Sequence, residues 1–233
     1  MIAARALTRT FPGRSIPALD GVSFTIGPGE IVALAGRNGA GKTTLLDVLS
    51  TLLLPSSGEA SVAGVDVARR PDDARRQVGY AVGGPRGLYT RLTVRQNLDF
   101  FAALHPHLAD PKGRVDELVA LLGLEPFIGE RVRTCSDGMQ QRIVIARALL
   151  GRPRALLLDE PARALDPVAR REVGGVIDAL VRRGDVGAVL YSTHDLDAIA
   201  GRATRALVLS RGRLVHDGAP DGAAIAPLLE DEP

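Results

Sequence analysis

Cysteine, lysine and aromatic residues are scarce in this chain of 233 residues, and each scarcity closes off a class of function. The single cysteine, Cys135, excludes an internal disulfide, fits a reducing cytoplasm and argues against cysteine catalysis. Aromatics make up 3% of residues and tryptophan is missing, so no platform for stacking bases is expected. No apolar run approaches the roughly 18 residues that a membrane-spanning helix needs. The opening Met1-Ile2-Ala3-Ala4-Arg5 lacks the layout of a signal peptide. Long blocks of one charge are missing too: 29 Lys+Arg stand against 27 Asp+Glu, a net charge of +2, and a nucleic-acid partner is not expected.

Against that background one segment stands out. Only Lys42 and Lys112 are lysine, and Lys42 lies in Gly36-Arg37-Asn38-Gly39-Ala40-Gly41-Lys42-Thr43, followed by Thr44. This is the phosphate-loop pattern G-x-x-x-x-G-K-[ST]. Its glycines let the backbone curl so that N–H groups converge on phosphate oxygens. Lys42 can reach the β- and γ-phosphates as a point charge, and the Thr43 hydroxyl can ligate Mg²⁺. An apolar run, residues 30–35, precedes the loop and reads as a buried strand. Residues 44–52 follow at helical spacing, so the helix N-terminus adds its dipole to the anion site.

Strand-like runs at 2–7, 22–26, 59–63 and 78–82 surround this unit. Residues 93–150 read as mostly helical, starting from a Thr93 cap, and strands return at 155–158, 188–191, 206–209 and 214–215 around a helix over about 168–183. The alternation predicts an α/β fold in a single domain over 1–233, with a helical subdomain at about 84–150 inserted in the core.

Three further segments carry chemistry. Ala155-Leu156-Leu157-Leu158 ends in Asp159 and Glu160; Asp159 is placed to hold Mg²⁺ and Glu160 to polarise a water. His194 closes another strand on the same C-terminal edge and is a candidate γ-phosphate contact. Cys135-Ser136-Asp137-Gly138-Met139-Gln140 leads into a helix, with Ser136 or Asp137 as its N-cap. His105 and His107, either side of Pro106, read as solvent-exposed and without partners for a metal site.

Taken together these residues resemble the ATP-binding cassette (ABC) family of ATPases along nearly the whole chain. Residues 36–43 match its Walker A loop and 155–160 its Walker B strand, and Ser136–Gln140 is similar to its signature, with Met in place of the final Gln. Ala164-Leu165-Asp166 resembles its D-loop, His194 its H-loop, and residues 211–218 its C-terminal hairpin; Phe11 lies where the family stacks an aromatic on adenine. The resemblance implies a P-loop NTPase core with a mainly parallel sheet and an N-terminal antiparallel β region. It implies that Phe11, residues 36–44, Ser136 and Gly138 bind ATP, that Thr43 and Asp159 hold Mg²⁺, and that Lys42, Glu160 and His194 are catalytic. The expected partners are a second ATPase domain, in a homo- or heterodimer joined head to tail so that each nucleotide also meets the signature turn of the other chain, and a separate integral-membrane permease. The chain would then be cytoplasmic, peripheral at the inner face of the membrane. Residues 87–98 resemble the antibiotic- or drug-exporter type; a non-transport ATPase acting on a soluble partner shares the same catalytic motifs. Three departures accompany the likeness. Gly83 stands where the family usually has Gln, so water is expected to substitute; Asp137 replaces a signature Gly; and Ala162 and Ala164 replace commoner Thr and Gly or Ser.

Overall fold

In the computed structural model, which describes residues 1–163, 165–194 and 202–229, the chain opens with strands β1 (Ile2–Arg9) and β2 (Leu19–Ile26). β3 (Ile31–Ala35) then leads into helix α1 (Lys42–Leu49). β4 (Ser57–Val62), β5 (Val65–Asp66), the short helix α2 (Pro71–Arg76) and β6 (Val78–Val82) follow. Three helices come next, α3 (Val94–Ala103), α4 (Pro111–Leu121) and α5 (Asp137–Leu149). The chain then returns to the sheet with β7 (Ala155–Asp159), α6 (Pro167–Arg182), β8 (Ala188–Thr193), β9 (Arg205–Ser210), β10 (Arg213–Gly218) and α7 (Gly222–Leu229).

The strands form two sheets. One is antiparallel in the order β2-β1-β4-β5; the other runs β10-β9-β3-β8-β7-β6, parallel throughout except for the β9–β10 hairpin. The parallel strands show why their sequences are continuously apolar. In β3, Ile31, Ala33 and Ala35 enter one core, while Val32 and Leu34 enter another on the opposite face. β7 divides the same way, Leu156 and Leu158 from Ala155 and Leu157. A strand covered on both sides has no polar face to show, so alternation disappears. The first core joins the sheet to α3–α6, and the second joins it to α1 and the antiparallel sheet.

Local signals set most helix starts. Thr93 caps α3 in a reciprocal box with Gln96, and Asp166 caps α6 by accepting from the N–H groups of Val168 and Ala169. Several expectations need correction. α1 begins at Lys42 rather than Thr44 and ends at Leu49, and α2 and α7 are additional to the expected elements. The cap of α5 is Ser136, with Asp137 as its first helical residue. His105 is half-buried against Gly151, and burial together with His107 holds its pKa below the usual imidazole value; His107 is exposed, as expected. Ala164 lies outside the described residues.

Candidate nucleotide-phosphate site

The parallel strands end together. Ala35 pairs with Thr193 and Val82 with Asp159, so the turn after β3, the carboxylates after β7 and the histidine after β8 share one sheet edge. Between the loop and the carboxylates lies a cleft of about 500 Å³; His194 is outside its lining and reaches it through Glu160. Residues 37–39 and 41–44 of the loop line it, with Gly83, Asp159 and Glu160 opposite.

Close packing fixes the loop. A Cβ on Gly41, at φ 110°, would stand 2.4 Å from the Ala18 carbonyl oxygen, and one on Gly36 would stand 2.5 Å from that of Leu209. Both glycines are therefore required where the backbone passes between its neighbours. Within the loop Lys42 Nζ donates to the carbonyls of Gly36 at 2.5 Å and Arg37 at 3.1 Å. Burial pushes its pKa below the usual lysine value, and the Glu160 and Asp159 carboxylates oppose that shift.

Across the cleft a chain of contacts runs through the carboxylates. Thr43 Oγ1 donates to Asp159 Oδ2 at 3.0 Å, and Ser192 Oγ donates to Asp159 Oδ1 at 2.6 Å. The same Ser192 oxygen accepts the Glu160 N–H at 2.8 Å. His194 Nδ1 lies 2.8 Å from Glu160 Oε2 and 3.0 Å from Oε1. Glu160 sits at φ 52°, a left-handed conformation costly for a side chain of its kind. The Thr43 hydroxyl and Asp159 carboxylate are hard oxygen donors on adjacent walls, a set that fits Mg²⁺.

Not every candidate comes to this cleft. Ser136 and Gly138 lie outside its lining; Ser136 is exposed at the N-terminus of α5, its Oγ accepting from the Met139 N–H. Met139 keeps the reciprocal bond that a Gln would make, its thioether accepting from the Ser136 N–H at 3.4 Å. Phe11 is also outside the lining: Arg9 covers its ring at 4.7 Å, and Arg14, 6.0 Å from the ring, reaches the cleft instead. Gly36 and Ala40 shape the loop from behind.

Two features escape a reading of the sequence. Ser192 is fully buried, and only the β7–β8 register places it beside Asp159; a polar residue within an apolar strand, two before His194, was its sole signal. Tyr80 donates to Asp47 at 3.1 Å beneath the same edge, and burial raises the pKa of both.

A phosphate loop, a hydroxyl–carboxylate pair and a Glu–His pair at one parallel-sheet edge define a phosphate-loop nucleotide-binding protein. The sequence profile of the ABC transporter family matches residues 19–163. The chain belongs to that family, as an ATP-binding, ATP-hydrolysing subunit of a transporter. It is 33% identical over 234 residues to the ABC transporter ATP-binding protein NatA of Bacillus subtilis (strain 168), covering 99% of this chain and 94% of that one. Daunorubicin resistance ATP-binding protein DrrA2 of Streptomyces coeruleorubidus is 39% identical over 207 residues, 88% of this chain and 63% of that protein. Cobalt import ATP-binding protein CbiO of Syntrophus aciditrophicus (strain SB) is 37% identical over 227 residues, covering 95% and 79%. Among solved structures, CbiO1 from Clostridium perfringens, part of the ABC transporter complex cbiONQ, superposes with a TM-score of 0.87 at 25% identity, covering 97% of this chain and 91% of that one. The dimeric post-hydrolysis state of the cassette MJ0796 with ADP and Pi superposes at 0.83 and 26% identity, covering 95% and 99%. No helix among the described residues is long and apolar enough to cross a membrane.

Proposed function

We propose that this chain hydrolyses ATP for an ABC exporter, closing on ATP as a head-to-tail pair and driving a separate membrane permease from the cytoplasmic face. The observation that carries the catalytic part is the unbroken run of contacts Thr43–Asp159–Ser192–Glu160–His194 beside Lys42. The loop N–H groups and Lys42 bind the phosphates. As the phosphates arrive, Lys42 exchanges carbonyl partners for anionic ones, which offsets the burial that depresses its pKa. Thr43 and Asp159 would hold Mg²⁺, which would supply neutralisation of phosphate charge there. Glu160 takes a proton from a water whose oxygen bonds to the γ-phosphorus, while the bond to the bridging oxygen breaks and ADP leaves with the electron pair. His194 steadies Glu160 through Nδ1, leaving Nε2 for the γ-phosphate.

Residues 1–233 act as one ATP-binding domain, the helices within 84–150 forming an arm that presents Ser136 and Gly138 to the nucleotide of the second chain. Ser136 and Asp137 are exposed at that helix N-terminus, where the helix dipole favours an anion, while Gly138 is buried behind them. Export is favoured by the likeness of residues 87–98 to drug exporters and by the DrrA2 relative; CbiO is the counterexample.

Glu160→Gln tests the centre. Turnover is expected to fall on the order of 10³-fold with ATP affinity kept, because the amide cannot take the proton. Turnover near wild type removes Glu160 from the role. In cells carrying the chain and its permease, export predicts that Glu160→Gln raises accumulation of a fluorescent drug; unchanged accumulation with the ATPase silenced argues against export.

A further inference from the structure

The cleft holds cationic groups beyond Lys42. Arg14, Arg37, Arg86 and Arg163 all line it, and all four side chains are exposed. They differ in position. Arg14 stands by the Phe11 ring and Arg37 lies within the phosphate loop. Arg163 belongs to the turn that carries the carboxylates: its N–H donates to the Glu160 carbonyl at 3.1 Å, three residues on from the proposed base. Asp159 and Glu160 line the same cleft, yet the Arg163 guanidinium makes no hydrogen bond or ion pair among the described residues. The carboxylates already have other partners, Thr43, Ser192 and His194.

Position 83, beside that turn, offers nothing in its place, although Arg86, three residues further on, also lines the cleft. Gly83 has no side chain, and a Cβ there would stand 2.4 Å from the Glu160 carbonyl oxygen, so the wall could not carry one without moving the base. The reacting end of the cleft thus has a bare backbone at position 83 and an unengaged guanidinium at position 163. Phosphoryl transfer spreads negative charge over the γ-oxygens, and a planar guanidinium can donate to two of them at once.

We propose that the Arg163 guanidinium contacts the γ-phosphoryl oxygens during hydrolysis, supplying from the β7–α6 turn the polar contact that residue 83 does not make. This rests on the reading of the cleft as the ATPase centre. The contact is stronger in the transition state than in the bound ATP complex, so it acts on turnover more than on affinity.

The test compares Arg163→Ala, Arg163→Lys and Glu160→Gln in steady-state ATPase assays, in fluorescent-ATP titrations and in trapping of ADP with orthovanadate, a mimic of the transferring phosphoryl group. Arg163 is exposed and without side-chain partners among the described residues, so the variants are expected to retain the fold. Arg163→Ala is expected to lower kcat on the order of 10²-fold and to weaken vanadate trapping in parallel, with ATP affinity changed by less than about threefold. Arg163→Lys recovers only part of both, since an ammonium lacks the fork. Wild-type kcat and trapping in Arg163→Ala, alongside a silent Glu160→Gln, overturn the inference and leave the centre standing. Equal weakening of ATP, ADP and ADP–vanadate binding also overturns it. Full turnover in Glu160→Gln brings down the parent reading itself.

Discussion

At Gly83 the departure from the family pattern has a steric cause as well as a chemical consequence. Glu160 is turned to φ 52°, its N–H satisfied by Ser192 and its carboxylate by His194. That turn aims its carbonyl at residue 83, whose own N–H donates to Asp159 O at 2.8 Å. A side chain at 83 and this arrangement of Glu160 exclude each other. Gly83→Gln is therefore no simple restoration of an amide. It is expected to displace Glu160, lower kcat and destabilise the protein by about 1–3 kcal/mol, the usual range for overpacking. Gly83→Ala should reproduce most of the loss, because the Cβ is the offending atom. Calorimetric melting and ATPase rates check this; an Ala variant with wild-type melting and turnover would show that the wall yields. Residues contiguous in sequence, such as 36–44 or Asp159-Glu160, announce their chemistry directly. Ser192 and the Tyr80–Asp47 pair do not, because each depends on which strand or helix lies beside it.

Helix α5 is the element that ties the Ser136 turn to the loop after β6. Gln141, almost fully buried, accepts the Gly84 N–H at 3.2 Å. Two turns further on, Arg147 Nη1 donates to the carbonyls of Gly87 at 2.6 Å and Arg86 at 3.4 Å, while its guanidinium lies 4.7 Å from the centre of the Phe101 ring. Arg114 of α4 closes the C-terminal end by donating to the Leu149 carbonyl at 2.6 Å. Arg147 has no carboxylate partner among the described residues, and burial lowers its pKa, so carbonyls and an aromatic face hold its charge. Arg147→Ala strips these contacts and leaves two carbonyls short of a donor; a loss of about 2–3 kcal/mol is expected in denaturant titration. Arg147→Lys should recover little, since stacking and forked donation need the planar group. Full stability in the Ala variant would mean that water replaces the guanidinium. The helical periodicity of 140–150 makes most of α5 legible beforehand, but its partners lie some 50–60 residues upstream and no local pattern points to them. α7 is masked differently: Pro227 interrupts a small-residue run that lacks a clear apolar stripe, and only Ile225 is buried among its residues.

For the whole molecule, the parallel sheet is a partition. The face bearing α1 and the antiparallel strands supports the phosphate loop, and the opposite face carries α3–α6 and thus the Ser136 turn. Loop and turn belong to different cores, and the cleft lined by Lys42 includes neither Ser136 nor Gly138. The proposed site is complete only if a second ATPase domain brings its own turn to this chain's loop; where that domain is a second copy of this chain, the arrangement has twofold symmetry and makes two equivalent sites. This predicts complementation between defective chains. Lys42→Ala removes the phosphate cation, and Ser136→Asp places a carboxylate where the γ-phosphate should dock; each variant alone is expected to be inactive. In a mixed dimer, one site joins both lesions and the other joins an intact loop to an intact turn. With random pairing half the dimers are mixed, so about a quarter of wild-type ATPase should return on mixing equal amounts, provided the two sites turn over independently. Activity that rises with the product of the two variant concentrations marks an interface-built site. Activity no higher than the sum of the separate variants would place Ser136 outside the partner's site, and with it the head-to-tail closure proposed to drive transport.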